Sequence, residues 1–287
     1  MAEIRFGTCS WKYDSWKNII YPAKSEFNYL KEYSRHFDTV EIDQWFWSLF
    51  PPGKVVLPAE NVVKEYNDSV PDDFLFTIKV PNSITLTHYY NRNKKEPLKK
   101  NPYFLSTDLF LDFIKTLRHL KKKIAVLIFQ FEYLNKQKMP SQNEFQNRMK
   151  EFFDHLPDNL PAIGVETRNP NYLNSSYFDF LNSLKLYHVF LEGYYMPPAT
   201  EIYKKYSEYI NKLSVIRLHG PDRSGIEKIS NGEWDKIYID RSEELSGIAE
   251  MINNLQKRNV DLFVNVNNHF EGSAPLTIER IKKLLQS

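Results

Sequence analysis

Asp261–Ile278 reads DLFVNVNNHFEGSAPLTI. Val264 and Val266 alternate with Asn265 and Asn267, the period-two pattern of a strand with two unlike faces. The pattern breaks at Asn268-His269-Phe270-Glu271-Gly272. Pro275 follows, a residue favoured in the first turn of a helix. A strand that ends in amides and an imidazole, with a helix starting almost at once, is how α/β proteins build binding sites.

The same strand-then-helix unit recurs through the chain. Strands are expected at Ile4–Ser10, Thr39–Gln44, Phe74–Val80, Ile124–Phe131, Ile163–Arg168, Tyr187–Gly193, Val215–Gly220 and Leu262–Asn267. Apolar residues at helical spacing predict helices over Glu26–Phe37, Asn61–Asp68, Thr107–Leu120, Ser141–Leu156, Ser176–Leu184, Glu201–Leu213, Glu243–Lys257 and Pro275–Leu285. Eight such units in 287 residues predict one α/β domain spanning 1–287, a (β/α)8 TIM-like barrel. A doubly wound open sheet is the alternative, but no Gly-x-Gly-x-x-Gly follows the first strand.

The strand faces locate the site. Val40 and Ile42 oppose Thr39, Glu41 and Asp43, and Ile78 and Val80 oppose Thr77 and Lys79. Ile163 and Val165 oppose Glu166 and Arg168, and Ile216 and Leu218 oppose Arg217 and His219. The apolar sets meet the helices, so the polar sets point into the barrel. Arg5, Glu41 and Asn265 fall in a lower layer suited to a structural ion network. Asp43, Lys79, Arg168, His219 and His269 fall at C-terminal strand ends, where barrel enzymes place active sites. A buried ion-pair network that balances Arg5, Lys79, Arg168 and Arg217 against Glu41, Asp43 and Glu166 is the competing reading.

Composition narrows the partners. A net charge of +2 implies no global electrostatic partner, so any nucleic-acid role needs a local patch. The one cysteine, Cys9, has no partner for an intramolecular disulfide, which favours a reducing compartment. With no signal-peptide pattern and no apolar run of spanning length, the expectation is a cytoplasmic protein without a membrane partner. The oligomeric state stays open.

The chain resembles the YecE-like proteins, also called domain of unknown function 72 (DUF72). The resemblance rests on Gly7-Thr8-Cys9-Ser10-Trp11, Thr39-Val40-Glu41-Ile42-Asp43, Lys79-Val80-Pro81 with Ile84-Thr85 and His88, and Gln130-Phe131. Val165-Glu166-Thr167-Arg168, Arg217-Leu218-His219-Gly220 and Asn267-Asn268-His269-Phe270-Glu271-Gly272-Ser273-Ala274 complete it. It implies a TIM-like barrel and no established activity. Several places depart from the family pattern: Cys9-Ser10 in the first motif, Asp43 where Asn is usual, and Glu132-Tyr133 where prolines are usual. Asn169 stands where the family usually has a histidine, so an imidazole is excluded there.

The chemistry expected is general acid/base catalysis on a phosphate- or carboxylate-bearing substrate, of hydrolase type. Glu166, His219 and Asp43 are the catalytic candidates. Lys79, Arg168, Arg217, Asn267, Asn268, His269 and Trp11 are the substrate-binding candidates, with backbone N–H groups of the last helix as further anion donors. Of seven histidines only His88, His219 and His269 reach the mouth, which leaves room for one divalent metal but requires no cofactor. The segment 82–106 mixes Arg92, Lys94, Lys95, Lys99 and Lys100 with Tyr89, Tyr90, Tyr103 and Phe104. Basic and aromatic residues together suit a nucleic-acid strand. A non-catalytic nucleic-acid or anion binder is therefore the alternative function.

Overall fold

Parallel strands β1 (Ile4–Thr8), β2 (Thr39–Ile42), β3 (Leu75–Lys79) and β4 (Ile124–Phe131) supply the first half of one sheet. The second half is β5 (Ala162–Thr167), β6 (Tyr187–Gly193), β7 (Leu213–Gly220) and β8 (Asp261–Val266). The computed structural model describes residues 2–23, 26–90 and 97–286. The strands lie side by side in the order β1-β8-β7-β6-β5-β4-β3-β2. Every ladder is parallel, with Asn265 of β8 paired to Gly7 of β1 and Arg217 of β7. Helices surround this nearly closed barrel, which is a single (β/α)8 domain as the strand count predicts.

The seam between β1 and β2 carries no backbone ladder. It is bridged by a side chain: the Tyr33 hydroxyl accepts from the Thr8 amide (2.9 Å) and donates to the Thr39 carbonyl (3.0 Å). Gly7 makes that approach feasible, because a Cβ there would sit 2.2 Å from the Thr39 carbonyl oxygen. Arg5 closes the base. Its Nη1 donates to the Asp38 and Asp73 carbonyls at 3.0 and 2.8 Å and its guanidinium pairs with Glu3, so it stands apart from the Glu41 network expected to include it.

Val126, Ile128, Val189, Val215 and Phe263 fill the lower barrel as a small apolar cluster of their own. Val40, Val165, Ile216 and Val264 belong to the large cluster shared with the helices. This alternation places Glu41, Glu166, Arg217 and Asn265 on the inside, stacked above the apolar plug.

Several elements differ from the sequence expectation. The first helix is only Tyr29–Tyr33, and the one expected over Glu201–Leu213 is Ala199–Tyr206 with a 3-10 turn at Ser207–Tyr209. An unexpected helix, Arg223–Ser230, follows β7, capped by the Asp222 side chain on the Gly225 amide. Its single buried aliphatic, Ile226, leaves no periodic stripe to read. A hairpin of Leu49–Phe50 with Lys54–Val55 rises beside the mouth. Among the described residues, no helix is long and apolar enough to cross a membrane.

Candidate functional site

The inward residues at the upper strand ends form two tiers. The lower tier centres on Arg217, which is 1% exposed. Its Nε and Nη2 each bond a Glu41 carboxylate oxygen at 2.7 Å, a bidentate pair. Its Nη1 bonds Glu166 Oε2 and, at 3.3 Å, Gln130 Oε1. Asn265 Nδ2 donates to Glu41 Oε2 (3.2 Å) and to Thr77 Oγ1 (2.9 Å). Both carboxylates are fully buried, so this tier sets one guanidinium against two carboxylates, and the remaining charge of Glu166 is met by Arg168 from above.

The upper tier is less satisfied. Lys79 is buried, yet its ammonium has no hydrogen-bond acceptor among the described residues and sits 3.9 Å from the centre of the Phe46 ring. Burial and then Arg217 lower its pKa to about 8, against the pull of Glu41, Glu166 and Asp43. Arg168, with its side chain 29% exposed, bonds Glu166 Oε1 through Nε at 3.2 Å. Its guanidinium lies 4.7 Å over the Tyr194 ring. Asp43 is half-buried; burial, with Glu41 beside it, raises its pKa from the ordinary 3.8 to about 6, while Lys79 and Arg217 oppose the rise. Burial alone would raise Glu166, but Arg217, Arg168 and Lys79 outweigh it and hold that carboxyl below its usual value. His219 is held neutral by burial and by the surrounding Arg217, Arg168, Lys79 and His269. Its Nε2 lies 3.6 Å from Cys9 Sγ and its Nδ1 3.2 Å from the Tyr194 hydroxyl.

Lys79, Asp43, Arg168, Glu166, Arg217 and His219 thus come together, and four other candidates do not. Asn267 turns its Oδ1 to the His269 amide at 2.9 Å. Asn268 is buried and caps the last helix, accepting from the Ala274 amide at 2.9 Å. Glu271 lies just before that helix, bonded to Thr277 Oγ1 (2.8 Å) and the Arg241 amide (3.0 Å). The expected free N–H donors at this terminus are therefore partly spent on the chain's own acceptors. His269, though near His219, pairs with Glu227 (3.1 Å) and packs edge-on to Trp234. Trp11 packs edge-on to Tyr66 at 5.1 Å. With Lys12, Gln44 and Trp45 it lines a groove of about 840 Å³ on the outer side of the first two strand exits.

The segment 82–106 is anchored at its base. Asn82–Thr85 is a short helix, and Asn101 Nδ2 donates to the Ser83 and Leu86 carbonyls at 2.7 and 2.6 Å. Lys99 and Lys100 are exposed, and Arg92, Lys94 and Lys95 lie outside the described residues. His88 is buried against Thr87 Oγ1 at 2.9 Å. Asn169 ties down the loop after β4 through the Leu134 amide and carbonyl. Sequence reasoning missed Tyr194, Phe46 and the Cys9–His219 contact. The signal available for Tyr194 was its place after Gly193 at a strand exit.

One metal arrangement can be tested against these contacts. The ligand atoms of Cys9, Glu41 and His219 lie within 4.8 Å of one another. They do not fit a cation. Both Glu41 oxygens already accept from Arg217, and Cys9, raised by burial and by Glu41, keeps its proton. A divalent ion there would stand beside a buried guanidinium.

Comparison with known proteins agrees with this architecture. A DUF72 protein of Enterococcus faecalis V583 superposes with a TM-score of 0.68 at 19% identity, over 99% of this chain and 96% of that one. One from Thermotoga maritima MSB8 gives a TM-score of 0.63 at 20% identity, over 99% of this chain and 100% of that one. At such identities the likeness shows the fold. No curated protein matches the chain. The family model described as "Protein of unknown function DUF72" matches residues 5–287. With the motifs and the barrel in agreement, the chain belongs to the DUF72 family.

Proposed function

We propose that the barrel mouth binds the anionic group of a small substrate between Lys79 and Arg168, and that Asp43 moves a proton there, in general acid/base chemistry of hydrolase type. The observation that carries the reading is the Lys79 ammonium, a buried cation that rests on an aromatic face and has no hydrogen-bond acceptor among the described residues, its carboxylate neighbours acting only from longer range. Such a group is costly unless something neutralises it. The terminal nitrogens of Arg168 have no partner among the described residues, so a second donor set lies close by. Asp43, raised to about 6, is ionised at neutral pH yet basic enough to take up a proton, which suits it to proton transfer. Glu166 serves as fixed counter-charge, and neutral His219 as a hydrogen-bonding group.

The test separates binding from turnover. Inorganic phosphate is titrated into the protein, and release of product is followed from phosphomonoesters, phosphodiesters and carboxylate esters. K79M should weaken phosphate binding about tenfold or more, the scale of a hydrogen bond to a charged group. D43N should bind phosphate and lose turnover. Phosphate binding unchanged in K79M would remove the reading.

The non-catalytic nucleic-acid alternative draws on Trp47 and Tyr90, 61% and 70% exposed, whose rings meet edge to face at 6.2 Å. Exposed rings near Lys99 and Lys100 offer stacking beside charge. If this surface binds oligonucleotides, affinity should fall steeply with salt, and replacing Lys99 and Lys100 with Ala should flatten that slope.

A further inference from the structure

The geometry points to Tyr194 as an oxyanion donor at the mouth, its hydroxyl proton freed by a hydrogen-bond chain that starts at Cys9 and runs through His219. Its ligand class, an oxyanion, rests on the function proposed above. The direction of the chain does not.

Tyr194 is held deliberately. It follows Gly193 at the end of β6 with φ of +55°, a left-handed conformation uncommon outside glycine and concentrated at functional sites. Its amide donates to the Gly220 carbonyl at 3.0 Å, which ties the exit of β6 to that of β7. The ring carries the Arg168 guanidinium on its face at 4.7 Å. The hydroxyl meets one group among the described residues, His219 Nδ1 at 3.2 Å. The residue is half-buried, so the hydroxyl keeps access to the mouth.

The other end of the chain decides who donates. Cys9 is buried, and its thiol is protonated because burial and Glu41 oppose a thiolate. Its one polar partner among the described residues is His219 Nε2, at 3.6 Å. A neutral imidazole has one donor and one acceptor nitrogen, and a sulfur is a weak acceptor. If Nε2 carried the proton, an N–H would face that weak acceptor and a buried S–H would have none. With the proton on Nδ1, every group is satisfied: S–H donates to Nε2, and Nδ1–H donates to the Tyr194 oxygen. The phenol has then accepted, and its own proton is free for another acceptor. Arg168, stacked on the same ring, makes an anionic oxygen the natural acceptor.

The chain is read directly from the nitrogen-15 chemical shifts of His219 at neutral pH. The expected result is a neutral ring protonated at Nδ1. C9S, which keeps a donor, should preserve that tautomer. C9A should shift it towards the Nε2–H form. In a phosphate titration, Y194F keeps the ring under Arg168 and should weaken binding about tenfold, from loss of one charge-assisted hydrogen bond. C9A should weaken it as well, although Cys9 does not touch the anion, and C9S should restore it. A His219 protonated at Nε2, or on both nitrogens, overturns the chain. Y194F that binds phosphate like the parent overturns the donor role. A parent protein that binds no phosphate refutes the proposed function and this ligand, while the tautomer still upholds or refutes the chain itself.

Discussion

Arg217 and Glu41 meet inside the barrel through two parallel bonds of 2.7 Å, although 176 residues separate them in the chain. The pair joins β7 to β2 across the interior, with Glu166 of β5 on the guanidinium's other side. Removing one member strands the others, because neither carboxylate reaches water.

Replacing Arg217 with Met should therefore cost about 3–5 kcal/mol, the scale for breaking a buried ion pair. Urea denaturation measures it. Replacing Arg217 and Glu41 together with apolar residues of similar size should recover part of that loss, since one charge of each sign is removed and Glu166 keeps Arg168 as its partner. A cost for R217M under about 1 kcal/mol would show that the network adds little.

Tyr33 gives a second stability prediction, at the seam. Y33F keeps the ring in the core but orphans the Thr8 amide and the Thr39 carbonyl. Each buried unsatisfied group costs about 1–3 kcal/mol. Amide exchange should accelerate at Thr8 and its β2 neighbours before it does at Val264, whose strand is laddered on both sides. Equal protection at the seam in Y33F and the parent would mean that the strands hold without the bridge.

The barrel was legible in the sequence because each inward polar set alternates with an outward apolar one. Glu41 beside Val40 and Arg217 beside Ile216 carry that pattern without any knowledge of neighbours. Their pairing is different in kind: it depends on which strands face one another across the closed barrel. Asn268 illustrates the limit. Its place after the last strand suggested a ligand-facing amide, but the turn carries it onto the Ala274 amide as a helix cap. Tyr194 was hidden for a related reason. A positive φ at a tyrosine has no sequence signature, and without it the ring would not lie between Arg168 and His219. Trp11 belongs to the right strand end but packs outward on Tyr66, a choice made by the loop and not by strand alternation.

Asp43 predicts a pH-dependent stability. Its folded pKa, about 6, lies above its ordinary 3.8, so the folded state binds the proton more tightly. The stability this contributes is fully present below about pH 4 and is lost as pH rises through 6. Above that, the ionised carboxylate destabilises the fold. D43N should thus be more stable than the parent at pH 7, by about 1–3 kcal/mol, and show no such gain at pH 4. Paired denaturation curves at the two pH values test this. Equal or lower stability of D43N at pH 7 would mean that Asp43 is not strained there, and its candidacy as a proton carrier would weaken with it.

Lys79 supplies the most direct test of the mouth. Burial lowers its pKa to about 8, well under the 10.5 of an ordinary lysine. Here the charged form is the disfavoured one, so folding opposes protonation and stability falls as pH drops through 8. Lysine labelled with carbon-13 at Cε during expression gives one signal per side chain, buried or exposed, and these can be titrated one by one. One signal, absent from K79M, should titrate near pH 8, well below the ordinary range of a lysine. Added phosphate should move that signal's midpoint upward, because a neighbouring anion favours the ammonium. The same shift should appear, reduced, in R168A, where one of the two cations is gone. A Lys79 signal that titrates with the surface lysines would mean that solvent already neutralises the burial cost. A midpoint near 8 that phosphate leaves unmoved would place the anion away from Lys79.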